Sequence, residues 1–173
     1  QGKVWGILNT ATDVTDQVIA RKRIEESEKN FRNMILQSPV AMCILRGPSF
    51  IVEIANERMF ELWGKPEKDM IAQPLFQALP EVKEEGFDQI LRHVYQTGET
   101  YKENERAAPL PRNGQIETIY VNFSYQAIAE DNVITAILAV AIDVTDQVMA
   151  RLKVEESEAQ LKATKKSLEI ELE

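Results

Sequence analysis

The chain has 173 residues, an apolar content of 44% and a formal net charge of −8. That is enough apolar material for one sizeable core with appendages and excludes a disordered chain. The acidic balance, with Lys and Arg interleaved among Glu, argues against nucleic acid and against direct contact with an acidic membrane, since both need basic surface.

The chain holds a single cysteine, Cys43, so no intrachain disulfide framework exists, and a cytoplasmic location is expected. No apolar run reaches the roughly 18 to 20 residues needed to span a bilayer.

From the start, Val4, Ile7, Leu8 and Ala11 align at an offset of 130 residues (134 minus 4) with Ile134, Ile137, Leu138 and Ala141. Residues 1–12 are therefore expected to be the terminal strand of a preceding repeat. Cut from its own sheet, that strand should fray, join the following helix or pair with a second chain.

The repeat sharpens at Asp13. Residues 13–28, DVTDQVIARKRIEESE, return at 143–158 as DVTDQVMARLKVEESE, with 4 of 16 positions changed and hence 12 identical. Self-similarity at a fixed offset marks an array, so the chain is expected to be a piece of a longer multidomain protein.

Thr15 to about Gln37 are strong helix formers, with Thr15 as N-cap and Asp16 in the first turn, and Ser38-Pro39 ends the run. Residues 13–38 thus read as a helical linker. Ile24 and Phe31 lie seven apart, and in the second copy Val154, Leu161 and Leu168 do the same, with Leu172 four beyond Leu168. These six residues form the candidate seam of a parallel homodimer stem; a solvated helix with some apolar faces is the other reading.

Residues 40–45 and 50–55 read as a β-hairpin across Arg46-Gly47-Pro48. Asn56 caps a short helix with Met59, Phe60 and Trp63 on one side, stopped by Gly64 and Pro66. Prolines break residues 65–80 into short helical turns. Phe87, Ile90, Leu91 and Val94 give a clean helical stripe ending at Gly98.

Residues 101–107 are polar and followed by Pro109 and Pro111, so a strand there belongs at a sheet edge. Asn113-Gly114 signals a hairpin turn. Ile119, Val121, Phe123 and Tyr125 alternate with Tyr120, Asn122 and Ser124, whose opposite face could meet the stem or a second subunit. Residues 133–142 are apolar on both faces, the mark of a central strand. The order describes an α+β unit with helices over one face of an antiparallel sheet.

Four stretches make the chain resemble a PAS sensory domain of the kind found in tandem in bacterial sensor histidine kinases. They are residues 38–48 (SPVAMCILRGP), residues 52–56 (VEIAN), residues 94–99 (VYQTGE) and the exit motif Asp143-Val144-Thr145. The resemblance covers about residues 30–158 and implies a PAS-like five-stranded antiparallel sheet with helices over one face enclosing a pocket, flanked by long helical stems. It places the domain at 39–143 and a signalling helix at 144–173. It also implies that Asp143 and Thr145, with Asp146 beside them, form the junction between last strand and signalling helix, where Thr145 is placed to cap that helix.

The resemblance further implies a noncatalytic sensor or relay module whose neighbours in the parent chain are other PAS domains and a kinase output domain. Pocket candidates are Met42, Ile44, Met59, Phe60, Trp63, Leu91, Tyr95, Val121, Phe123 and Leu138, for which a packed core is the alternative. A small-molecule ligand is possible and its identity is unknown. A purely structural spacer remains a second reading.

Haem and flavin are disfavoured. Some haem-binding PAS sensors take a ligand from the helix that holds His93, but His93 lies roughly 100° from the apolar stripe. Cys43 stands in the first strand without the Asn-Cys-Arg motif of flavin-adduct relatives, and reads as a small buried hydrophobe. One Cys and one His leave no tetrahedral metal set. Kinase chemistry lacks its glycine-rich loops, and His93 is followed by Val94 rather than an acidic residue.

Overall fold

The structure is a computed structural model that describes residues 15–171, and side chains through residue 166. The placement expected for residues 1–12, and the seam position Leu172, lie outside the described residues, as does the side chain of Leu168. The first unit of the chain runs to Met34 and the second from Ile35 onward.

In the first unit, Thr15 opens helix α1 (Thr15–Leu36) with Asp16 in its first turn. Arg21 and Glu25 pair one turn apart at 2.8 Å, an exposed contact that adds only tenths of a kcal/mol to a segment already rich in helix formers. Ile24 and Phe31 are exposed along it.

The second unit contains β1 (Ala41–Arg46), β2 (Ile51–Ala55), α2 (Glu57–Trp63), the short turns α3 (Glu67–Met70), α4 (Leu75–Ala78) and α5 (Pro80–Glu84), α6 (Phe87–Thr97), β3 (Tyr101–Arg112), β4 (Gln115–Glu130), β5 (Val133–Asp143) and α7 (Thr145–Glu171). The strands form one antiparallel sheet in the order β2-β1-β5-β4-β3. The strand that is apolar on both faces, β5, is the central one.

Its position follows from covering. Phe87, Leu91 and Val94 of α6 are buried on one side of the sheet, with Gly98 closing α6 in the left-handed conformation. On the other side Ile44, Ile54 and Ala136 form a small second cluster with Ile35. His93 points away, half exposed, 3.5 Å from Glu99.

Edge strand β3 runs further than its prolines suggest. Pro109 and Pro111 stay in register with Thr118 and Ile116, because an edge strand leaves one row of backbone N–H groups unused. The Asn113-Gly114 turn has both residues at positive φ, as a two-residue hairpin requires. Asp131-Asn132 does the same between β4 and β5 without a glycine, since Asp and Asn tolerate that region.

Candidate functional site

Between the sheet and the helices lies an apolar cavity of about 60 Å³. Three small side chains keep it open: Ala108 on β3 and Ala139 and Ala141 on β5 stand where larger residues would meet the helices. Met59, Trp63, Val121 and Phe123, all expected as pocket residues, line it, joined by Cys43, Leu45 and Tyr125.

The other expected pocket residues sit elsewhere. Met42, Ile44 and Leu138 belong to the cluster on the opposite face of the sheet. The reason is strand parity: Cys43 is opposite Ala139 on the cavity side, so their neighbours Ile44 and Leu138, also opposite each other, face away. Strand β1 is apolar on both faces, and no alternation marked which one was which. Leu91 is buried in the main core, while Phe60 and Tyr95 pack half-buried against it, Tyr95 edge-on to Phe50 at 6.0 Å between ring centroids.

Burial alone pushes the Cys43 thiol well above its ordinary pKa, so it stays protonated. Burial also raises the Tyr125 phenol, with a smaller contribution from Cys43. The cavity wall is therefore uncharged.

Two residues beyond Ala141 the sheet gives way to the helix. Asp143 Oδ1 accepts hydrogen bonds from the Thr145 backbone N–H at 2.9 Å and from the Thr145 hydroxyl at 2.6 Å. Thr145 Oγ1 in turn accepts the Tyr120 backbone N–H at 2.9 Å, and the Val144 N–H reaches the Tyr120 carbonyl at 2.8 Å. Thr145 was expected to cap α7; instead its hydroxyl fastens β4, and Asp143 satisfies the helix N–H. Asp146 is exposed in the first turn, a favourable place for negative charge.

A second fastening was not visible in the sequence. Arg151, on α7, holds both carboxylate oxygens of Glu105 at 2.7 and 2.8 Å. Glu105 lies at an irregularity of β3 with φ of 53°, and its N–H donates to Asn122 Oδ1 at 2.8 Å. The Arg151 hydrogen bonds hold the Glu105 carboxyl below the usual carboxylate range. Val144 and Val148 bury the apolar side of this first part of α7. Asn122, expected to meet the stem or a second subunit, supports the stem through Glu105.

The seam residues Val154 and Leu161 are exposed, as are Met149 and Leu152. Among the described residues no group of His, Cys, Asp and Glu could hold a metal ion, and no helix is long and apolar enough to cross a membrane.

Comparison with known families matches residues 36–148 to the family described as PAS fold. Among solved structures, the PAS domain from Bordetella pertussis BvgS is similar at 16% identity and a TM-score of 0.58, covering 78% of this chain and 98% of that one. The PAS domain of an HTR-like protein from Haloarcula marismortui is similar at 17% identity and a TM-score of 0.50, covering 73% and 98%. Vibrio cholerae VqmA is similar at 21% identity and a TM-score of 0.53, covering 72% and 52%. No curated protein matches the chain.

Proposed function

The chain belongs to the PAS fold family, and from that premise we propose that it is a noncatalytic sensor and relay module acting in the cytoplasm. A small molecule in the central cavity, or a motion from upstream, shifts β5, and α7 carries the shift to an output domain of the histidine kinase type. The observation that supports this reading is continuity along one strand. Ala139 and Ala141 line the cavity, and two residues later Asp143 is hydrogen-bonded to Thr145 at the start of α7. A strand displaced at the cavity would have to strain or break that junction.

The test is amide chemical shifts during titration with isobutene, an apolar probe sized for the void. Occupancy should move the resonances of Ala139 and Ala141 and also those of Val144 to Val148. Shifts confined to the cavity lining would sink the relay.

The exposed seam supports a second element of the proposal, a homodimer formed through the stems. Ile24, Phe31, Val154 and Leu161 are apolar and exposed in the single chain. Native mass spectrometry should find a dimer that Leu161→Glu weakens. A monomer at all concentrations would remove the dimer from the reading. The small size of the cavity favours the rival view, a structural spacer that carries motion without a ligand.

A further inference from the structure

Residues 13–28 and 143–158 are nearly the same text, and the fold shows what the second copy does with it. Val148 is 3% exposed, seated against the PAS unit. Arg151 holds both oxygens of the Glu105 carboxylate on β3 at 2.7 and 2.8 Å, and also lies 3.6 Å from Glu155 on its own helix.

The first copy keeps these residues without that setting. Val18 stands where the repeat has Val148, and it is 46% exposed. Arg21 stands where the repeat has Arg151, and its side chain is 82% exposed. Among the described residues Arg21 meets only Glu25, the counterpart of Glu155, at 2.8 Å. Val18 and Arg21 are three apart and so share one face of α1, as Val148 and Arg151 share one face of α7. That face of α1 therefore has the pair within the helix and lacks both the apolar seat and the carboxylate on a strand.

Nothing in the first copy spoils it for such a seat. The four positions that differ between the copies are exposed in α7: Met149, Leu152, Lys153 and Val154. The missing partner is thus an antiparallel sheet with an acidic residue on the strand beside the helix. On this PAS unit that seat is already filled by α7, which disfavours a second copy of the chain. Val4, Ile7, Leu8 and Ala11 repeat the apolar positions of β5, the strand that leads into α7, which favours a unit joined to α1 from its upstream side.

We infer that α1 is the exit helix of a second PAS unit encoded ahead of it. Val18 is seated on that unit's sheet, and Arg21 pairs with a carboxylate at the place Glu105 holds here. Glu105 precedes Asp143 by 38 residues (143 minus 105), which sets how far ahead of Asp13 the acid is expected. What the contact would transmit rests on the relay reading above; the contact itself rests on the repeat.

The test is hydrogen exchange on the 173-residue chain and on the natural polypeptide extended upstream through one further unit. Amides of residues 16–22 should exchange at least about tenfold more slowly in the longer polypeptide. Val18→Asp should return them to the faster rate while residues 148–152 keep theirs. Within the 173-residue chain, Met149→Ile, Leu152→Lys, Lys153→Arg and Val154→Ile together give α7 the text of α1. Exchange at residues 148–152 should then be unchanged.

Equal rates at residues 16–22 in the two lengths would overturn the inference, as would a natural polypeptide with no PAS unit ahead of Asp13. Protection already present in the 173-residue chain and rising with concentration would give the face to a second copy and overturn it too. Loosening of residues 148–152 by the four substitutions would show that the α1 text cannot dock. An upstream unit with no Asp or Glu near the expected place would overturn the pairing of Arg21. None of these outcomes touches the step from cavity to α7, which the isobutene titration decides; a protected α1 beside an unresponsive α7 would keep the docking and sink the relay.

Discussion

Two polar knots hold the PAS unit, one where the chain enters it and one where it leaves, and they are built differently. At the entrance Asn56 is 1% exposed. Its Oδ1 accepts the N–H groups of Met42 and Met59, and its Nδ2 lies within reach of the carbonyls of Ile35, Ser38 and Val40. At the exit Asp143 is exposed and Thr145 half-buried, and the supporting pair Arg151 and Glu105 is 50% and 42% exposed in its side chains. A buried, fully satisfied amide is costly to disturb, whereas exposed pairs are cheap to break and re-form. On the relay reading proposed above, the difference would give anchoring to the entrance and movement to the exit.

The most severe way to break the comparison is Asn56→Ala. It strands the Met42 and Met59 N–H groups in a site closed to water, and should cost about 2 to 4 kcal/mol of global stability. Denaturant unfolding measures it. A loss under about 1 kcal/mol would mean that the entrance is no stiffer than the exit.

Next in size is Gly64→Ala, at the far end of the helix that Asn56 caps. Gly64 has φ of 66°, and an added Cβ would collide with the Pro111 carbonyl oxygen. Arg112 holds the same place together, donating to the carbonyls of Leu62 and Pro111 at 2.6 and 2.8 Å. The substitution should cost about 1 to 3 kcal/mol, through backbone strain and displacement of β3. Unchanged thermal unfolding would show that α2 is held from its start alone.

How much of this was legible in the sequence depended on whether a signal was local. Asn56 was readable as a helix cap, and the Met59 N–H does bond it, but its reach to residues 35–42 needs the folded sheet. The doubly apolar run of β5 announced a central strand. The same property in β1 hid which of Cys43 and Ile44 faces the helices, so Met42, Ile44 and, across from it, Leu138 were assigned to the wrong face. Asp143 and Thr145 stood out because the repeat and the family resemblance marked them. Glu105 and Arg151, 46 residues apart, carried no such mark, and an irregular strand position occupied by Glu rather than Gly gave no turn signal.

A gentler change sharpens the contrast at the exit. Thr145→Val keeps the shape of the side chain but removes the acceptor for the Tyr120 N–H and the donor to Asp143. The cost should be about 1 kcal/mol, felt locally. Hydrogen exchange should quicken at Tyr120 and along Val144 to Val148 while the amides of β1 and β2 keep their protection. Uniform loss of protection would mean that the two knots fail together and that the exit is no independent hinge.

The smallest effect is expected at the Arg151–Glu105 pair, where acid offers a reversible probe. Its hydrogen bonds to Arg151 depress the Glu105 pKa in the folded state. The carboxylate therefore contributes its stabilisation fully above the ordinary carboxylate pKa, and loses it as pH falls through the lower folded value. Acidification through that window should loosen the start of α7, seen as faster exchange at residues 148–152 beyond the intrinsic pH dependence. Glu105→Gln should give this loosened state at neutral pH, flatten its pH response, and lower the unfolding midpoint only slightly because the pair is exposed. If Glu105→Gln retained the wild-type pH response, another carboxylate would control the helix start, and the exit would rest on Asp143 and Thr145 alone.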